Sequence, residues 1–317
     1  MRRPVKSAWV VHLVAVHLVV FTAVAMALVA MSCDRDPPAQ GPPTATDDPV
    51  TSEGFPGDVE VQRIASMAPS ITELLFALGL GEKVVAVTRY CDYPPEATDR
   101  AVIGGMLDPD YEAMLAAEPD LVLGVKDGAD HRMVQRLDAA GIAYGFLTAD
   151  DLAGVRASME LLGEWLGADE AAAELRRRFD DELHRAARDL EGVWTTEDGP
   201  PPRGIVVFDH EPIVAAGPGT FAAELLGLAG LENALGDDFG AYPVLDMEGI
   251  YAVDPGVILD VSIGPTSREV QAFWARFDRL QAVEAGAVLH IDDPLMMRPG
   301  PRLPEALRLM GQAAEEL

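Results

Sequence analysis

The sequence predicts an α/β protein of two lobes, each with a central, mainly parallel sheet, bridged by one long α-helix. Three observations carry that reading. From Ala168 to Leu190 no Gly or Pro interrupts the chain, and Leu175, Phe179, Leu183, Ala186 and Leu190 recur at steps of three and four. That spacing paints one apolar stripe on a helix of roughly 34 Å. On either side of it one phrase occurs twice at a constant offset of 136, running from Glu112 to Leu123 and again from Glu248 to Leu259. Each copy reads as a short helix stopped by an acid–Pro pair and followed by a strand. A weaker echo, Thr72–Gly79 against Ala223–Gly230, precedes it in the same order. Finally, strand and helix patterns alternate in both halves, the signature of a parallel sheet covered on both faces.

The chain divides into residues 1–33, a leader; 34–58, a tether; 59–167, an N-terminal lobe; 168–190, the linker helix; and 191–317, a C-terminal lobe. Arg2, Arg3 and Lys6 precede an apolar run from Ala8 to Met31 that ends at Ser32-Cys33. The run is longer than an ordinary signal core, so a retained membrane helix is an alternative to cleavage. Either way the basic start sends the body outward. Residues 34–57 are rich in Pro, Asp, Thr and Gly with little to bury, as a disordered tether is.

In the first half, Val61–Ser66 reads as a strand and Ser70–Glu73 as a capping box opening a helix through Leu78. Lys83–Thr88 is a second strand. It leads into Arg89-Tyr-Cys-Asp-Tyr-Pro-Pro95, a loop at the C-terminal end of a strand, where open α/β sheets hold ligands. Tyr90, Cys91 and Asp92 are therefore candidates for ligand contact, with Cys91 equally readable as a small buried hydrophobe. Asp108 reads as an N-cap with Pro109 at the first helical position. Strands at Asp120–Val125 and Ile142–Leu147 alternate with helices at His131–Ala140 and Leu152–Leu166.

In the second half, Arg203–Phe208 is a strand running into Asp209-His210-Glu211. Gly217–Thr220 opens a helix, but the Lys-Ser/Thr pair of a phosphate loop is absent, so a turn chosen for close packing is expected. Tyr242 lies on a loop before the repeated Glu248 helix. Strands at Val257–Val261 and Ala287–Ile291 flank a helix at Glu269–Phe277. Met296, Met297 and Arg298 follow the last strand, placed to line a cleft, and a final helix begins at Pro304.

Composition excludes some functions. Asp plus Glu number 52 against 24 Lys plus Arg, a formal charge of −28, and no basic run occurs in the body. Such a surface repels nucleic acid. With two cysteines, one of them Cys33, the fold does not rest on an intramolecular disulfide.

Arg63–Glu73, Tyr90–Pro95, Glu112 with Glu118–Leu123, and Arg298-Pro-Gly-Pro-Arg302 together resemble the helical-backbone (class III) periplasmic substrate-binding proteins. These serve ATP-driven (ABC) importers of cobalamin, ferric siderophores and haem. The similarity covers about residues 61–314, and the cobalamin-binding branch is nearest through the Tyr90–Pro95 loop. The resemblance implies a receptor that binds its chelate between the lobes and holds no cofactor. It implies a monomer that docks on a two-fold symmetric membrane permease through Glu112 and Glu248. A quasi-two-fold protein would thus offer matched carboxylates to arginines of a two-fold partner. The implied ligand set is Tyr90, Cys91, Asp92, Met106, Tyr242, Met297 and Arg298. At Met106 and Val125 the chain departs from the cobalamin branch, which has tryptophan there; Met and Tyr would also suit haem or a siderophore. Cys33 resembles a lipoprotein cleavage residue, implying a lipid anchor on the outer side of the cytoplasmic membrane. A secreted metal-dependent enzyme using Asp209, His210 and Glu211 is a competing class without metal-ligand spacing. A sensor subunit of the same fold is a third.

Overall fold

The computed structural model describes residues 60–128, 131–194 and 200–315; the leader, Cys33 and the tether lie outside them. Among the described residues no helix is long and apolar enough to cross a membrane. The first sheet holds β1 (Ile64–Ser66), β2 (Val84–Val87), β3 (Ala101–Val102), β4 (Leu121–Val125) and β5 (Ala143–Leu147), in the order β3-β2-β1-β4-β5 and parallel throughout. Its helices are α1 (Pro69–Ala77), α2 (Tyr111–Ala116), α3 (His131–Ala140) and α4 (Leu152–Leu166). The long helix α5 (Asp169–Asp189) follows.

The second sheet holds β6 (Arg203–His210), β7 (Ile213–Ala215), β8 (Glu232–Asn233), β9 (Val244–Leu245), β10 (Val257–Asp260) and β11 (Val288–His290). Its order is β11-β10-β6-β7-β9, with β8 also paired to β6. It is mixed: β7 runs antiparallel to both β6 and β9. Its helices are α6 (Phe221–Leu228), α7 (Met247–Val253), α8 (Ser267–Trp274), α9 (Gln281–Glu284) and α10 (Leu303–Ala314).

The repeated phrase is a repeated piece of backbone. Asp110 caps α2 by accepting from the Ala113 amide at 3.0 Å, and Asp246 caps α7 by accepting from the Gly249 amide at 2.7 Å. Each helix is followed by an acidic residue at positive φ before proline, Glu118 at 48° and Asp254 at 42°. Asp is one of the residues enriched in that region; Glu is not, so Glu118 adopts it without that advantage. The chain then enters the next strand in the same register: Ile64 opposes Leu121 in the first sheet, and Gly204 opposes Val257 in the second. The cap lies two residues beyond the predicted Asp108, because Gly104 and Pro109 form a bridge that delays the helix.

A second expectation also changes. Ser70 and Glu73 make no capping box, since α1 begins at Pro69 and both residues are buried within it. The capping box of the described chain is at Thr266 and Glu269. Gly217 does serve close packing: a Cβ there would sit 1.9 Å from the Gly240 carbonyl oxygen.

The stripe on α5 is buried, with Leu175, Phe179 and Leu183 each 3% exposed or less. They join one apolar cluster with Leu75 of α1, Met159 of α4, Leu225 of α6, Leu259 of β10 and Leu307 of α10. The lobes therefore share a core across the helix. Each fully buried side chain of this kind contributes about 1.5–3 kcal/mol. Arg156 of α4 is tied to Asp180 of α5 at 2.7 Å.

Candidate ligand-binding cleft

A cavity of about 770 Å³ opens between the sheets, with a mostly apolar wall. Every strand of the first sheet contributes at its C-terminal end: Pro69 after β1, Tyr90 and Asp92 after β2, Met106 after β3, Val125 at the end of β4, and Thr148 after β5. The strand order reverses about β1, so the helices on either side diverge and leave a crevice there. The second sheet closes the other wall with Phe221, Tyr242, Ile263 and Met297.

Six of the seven residues expected to touch a ligand lie in this wall: Tyr90, Asp92, Met106, Tyr242, Met297 and Arg298. Tyr90, Tyr242 and Met297 are 51%, 43% and 44% exposed, so two aromatic side chains and a thioether from opposite lobes are about half exposed. Cys91 does not join them. Its thiol is buried and meets the Thr72 and Thr88 hydroxyls, each at 3.1 Å, because the turn after β2 sends alternate side chains to opposite sides. Phe221 and Ile263 were missed by sequence reasoning. The signal available was position just past a strand end for Ile263 and the first turn of a helix for Phe221.

Several of the cleft's charges are paired. Arg298, from the second lobe, forks onto Asp92 at 2.6 and 3.1 Å and donates to the Tyr90 carbonyl at 3.2 Å. Its Nη1 also lies 3.3 Å from Oε1 of Glu73. The hydrogen bonds from Arg298 hold the Asp92 carboxyl below the usual range. Glu73 is sealed behind, 2% exposed, and its Oε2 has no hydrogen-bond partner among the described residues. Burial pushes its carboxyl up to about 7, against the pull of Arg302 and Arg298. Arg302 lies over the Tyr93 ring at 3.8 Å, and Arg89 pairs with Asp108 at the rim. Two ties from backbone amides cross the same junction: the Phe221 amide donates to the Asp150 carbonyl at 2.6 Å, and the Leu152 amide to the Glu224 side-chain carboxylate at 2.7 Å.

Glu112 and Glu248 lie outside the cleft, both exposed, in the first turns of α2 and α7. His210 lies outside the cleft. Its Nε2 is 2.5 Å from Asp260 and its ring stacks on Phe273, while the Trp274 indole donates to the same carboxylate at 2.6 Å. Among the described residues no group of three or more His, Cys, Asp or Glu could hold a metal ion.

A family model described as "Periplasmic binding protein" matches residues 64–295. The vitamin B12-binding protein of Pectobacterium carotovorum subsp. carotovorum (strain PC1) is 28% identical over 242 residues, covering 76% of this chain and 84% of that one. Two solved structures have the same fold. The periplasmic vitamin B12 binding protein BtuF of Vibrio cholerae superposes with a TM-score of 0.67 at 24% identity, over 81% of this chain and 98% of that one. The periplasmic heme-binding protein RhuT from Roseiflexus sp. RS-1, in apo form, gives 0.68 at 25% identity, over 81% and 98%.

Proposed function

The chain belongs to the periplasmic binding protein family, and from that premise we propose that it captures a metal chelate, cobalamin first, for an ATP-driven importer. One observation carries the proposal: a largely apolar cavity of about 770 Å³ whose wall includes Tyr90 from one lobe and Tyr242 from the other. Its size falls in the range of small-molecule sites, which bury most of their ligand. Flat, conjugated macrocycles suit such walls, because aromatic side chains offer large area at low entropy cost. The proposed ligand contacts are Tyr90, Asp92, Met106, Tyr242, Met297 and Arg298. Capture is binding without chemistry. In the permease complex, Glu112 and Glu248 form charge-assisted pairs with arginines of the two membrane subunits. Lipid attachment at Cys33 would keep the receptor beside that permease.

Haem is the second reading. Met106 and Val125 lie together in the cleft wall, at the positions where the cobalamin branch has tryptophan. The heme-binding relative of comparable similarity supports keeping it. Titration of residues 59–317 with cyanocobalamin, haemin and a ferric siderophore, followed by tryptophan fluorescence and calorimetry, decides between them. Saturable binding of one is expected; binding of none removes the chelate reading.

A further inference from the structure

Beside each of the two exposed glutamates runs an apolar groove, and the two grooves are counterparts. In the first lobe, α2 and α3 border a cavity of about 390 Å³ whose wall includes Tyr111, Leu115, Leu137 and Ala140. In the second, α7 and α8 border one of about 650 Å³ that includes Met247, Phe273 and Arg276. Tyr111 and Met247, Leu137 and Phe273, Ala140 and Arg276 are each 136 residues apart, the same separation as Glu112 and Glu248. The helices α3 and α8 also begin 136 residues apart, at His131 and Ser267. Each groove carries a guanidinium laid on an aromatic ring, Arg136 on Tyr111 at 4.1 Å and Arg276 on Phe273 at 4.3 Å. Beside each carboxylate an apolar side chain stands in water: Leu115 is 51% exposed and Met247 63%.

Single exposed apolar residues are ordinary. Two grooves that share three wall positions at the same offset, each beside the same carboxylate, are not scatter. A two-fold symmetric partner offers one loop twice, so the surface that meets it repeats. The glutamate selects a basic group in that loop, and the groove beside it selects an apolar one. A second copy of this chain is a poor occupant, since its net charge of −28 opposes association.

We propose that each docking site is compound: the glutamate pairs with an arginine of a permease loop, and the adjoining groove receives an apolar side chain of the same loop. This rests on the importer reading above. The two sites are unequal anchors. The second groove is larger and is walled by Phe239, Phe273 and Phe277, and binding energy concentrates where an apolar side chain fills a desolvated pocket.

The test places p-benzoylphenylalanine in place of Leu115 or of Met247 in the full chain, expressed in its own cells and irradiated. Both positions are expected to cross-link to one and the same loop of a single multi-span membrane protein, with several-fold higher yield at position 247. Capture of a second copy of this chain, of lipid, of two unrelated segments, or of nothing overturns the compound site. A parallel uptake assay with labelled cyanocobalamin and haemin separates the two failures. Met247→Ser is expected to lower uptake several-fold, and more than Leu115→Ser, with ligand affinity unchanged. If reversing both Glu112 and Glu248 leaves uptake intact, the importer docking itself falls; if that reversal abolishes uptake while the serine variants do not lower it, only the grooves do.

Discussion

In the first lobe β1 ends at Ser66 and α1 has begun by Pro69; in the second, β6 continues to His210 and folds back as β7 before α6 begins. Further along, the lobes converge again. Asp110 and Asp246 cap equivalent helices, Glu118 and Asp254 stop them at positive φ, and β4 and β10 enter their sheets in matching register. The outward-facing frame is thus duplicated while the cleft-facing walls have diverged. A symmetric partner and an asymmetric ligand would place those two demands on one molecule. The short turn in the first lobe is also what buries Glu73 at the junction, because α1 starts early enough to carry it under Arg298.

Four experiments test this contrast. The largest effect is expected from Glu112→Lys with Glu248→Lys, which should abolish ligand uptake by cells while calorimetry finds the ligand affinity unchanged. A fall in affinity instead would move these carboxylates out of the duplicated frame and into the cleft.

Next comes Arg298→Met. It removes the nearer of the two guanidiniums beside the buried Glu73 and leaves Arg302 at 3.9 Å, so the cost should stay below about 3 kcal/mol, that of a buried pair losing its partner outright. Thermal unfolding should show the loss fully above pH 7 and reduced at pH 5, where Glu73 carries its proton. An equal loss at both values would show that the arginine acts through Asp92 and through packing rather than through Glu73.

Tyr90→Ala and Tyr242→Ala test the two cleft walls. Each is expected to weaken ligand binding about tenfold, or about 1.4 kcal/mol, with little change in Tm because both rings are exposed. A large effect from only one would mean that a single lobe holds the macrocycle.

The smallest effect is the pH dependence contributed by Glu73. Its carboxyl keeps a proton up to about 7 in the folded chain, against 4.5 for an ordinary glutamate. Between those values the folded state binds more protons than the unfolded, so this group's contribution to stability falls as pH rises from about 4.5 through 7. Glu73→Gln should flatten that part of a plot of Tm against pH. An unchanged slope would mean that the two arginines keep Glu73 ionised throughout.

Much of the frame was legible because it is written in local chemistry. The α5 stripe needs only period, and the acid–Pro stops need only the backbone limits of two residues. The site was half legible: position after a strand marks Tyr90, Asp92, Tyr242 and Met297 as cleft candidates. It cannot say that Cys91, between Tyr90 and Asp92, turns inward to two threonines. Nor can it find the capping box at Thr266 rather than at Ser70, since what excludes the latter is the early start of α1 at Pro69 and the burial of Glu73 against another lobe.

By itself the sequence determined two copies of one α/β plan around a long amphipathic helix, because periodicity, caps and stops act over a few residues. The tertiary structure alone decided that β7 runs antiparallel, that Arg298 reaches across 206 residues of chain to Asp92, and that two grooves flank the matched glutamates. Those features depend on which surfaces meet when the chain closes, and segments so far apart in sequence leave no periodic trace of their contact.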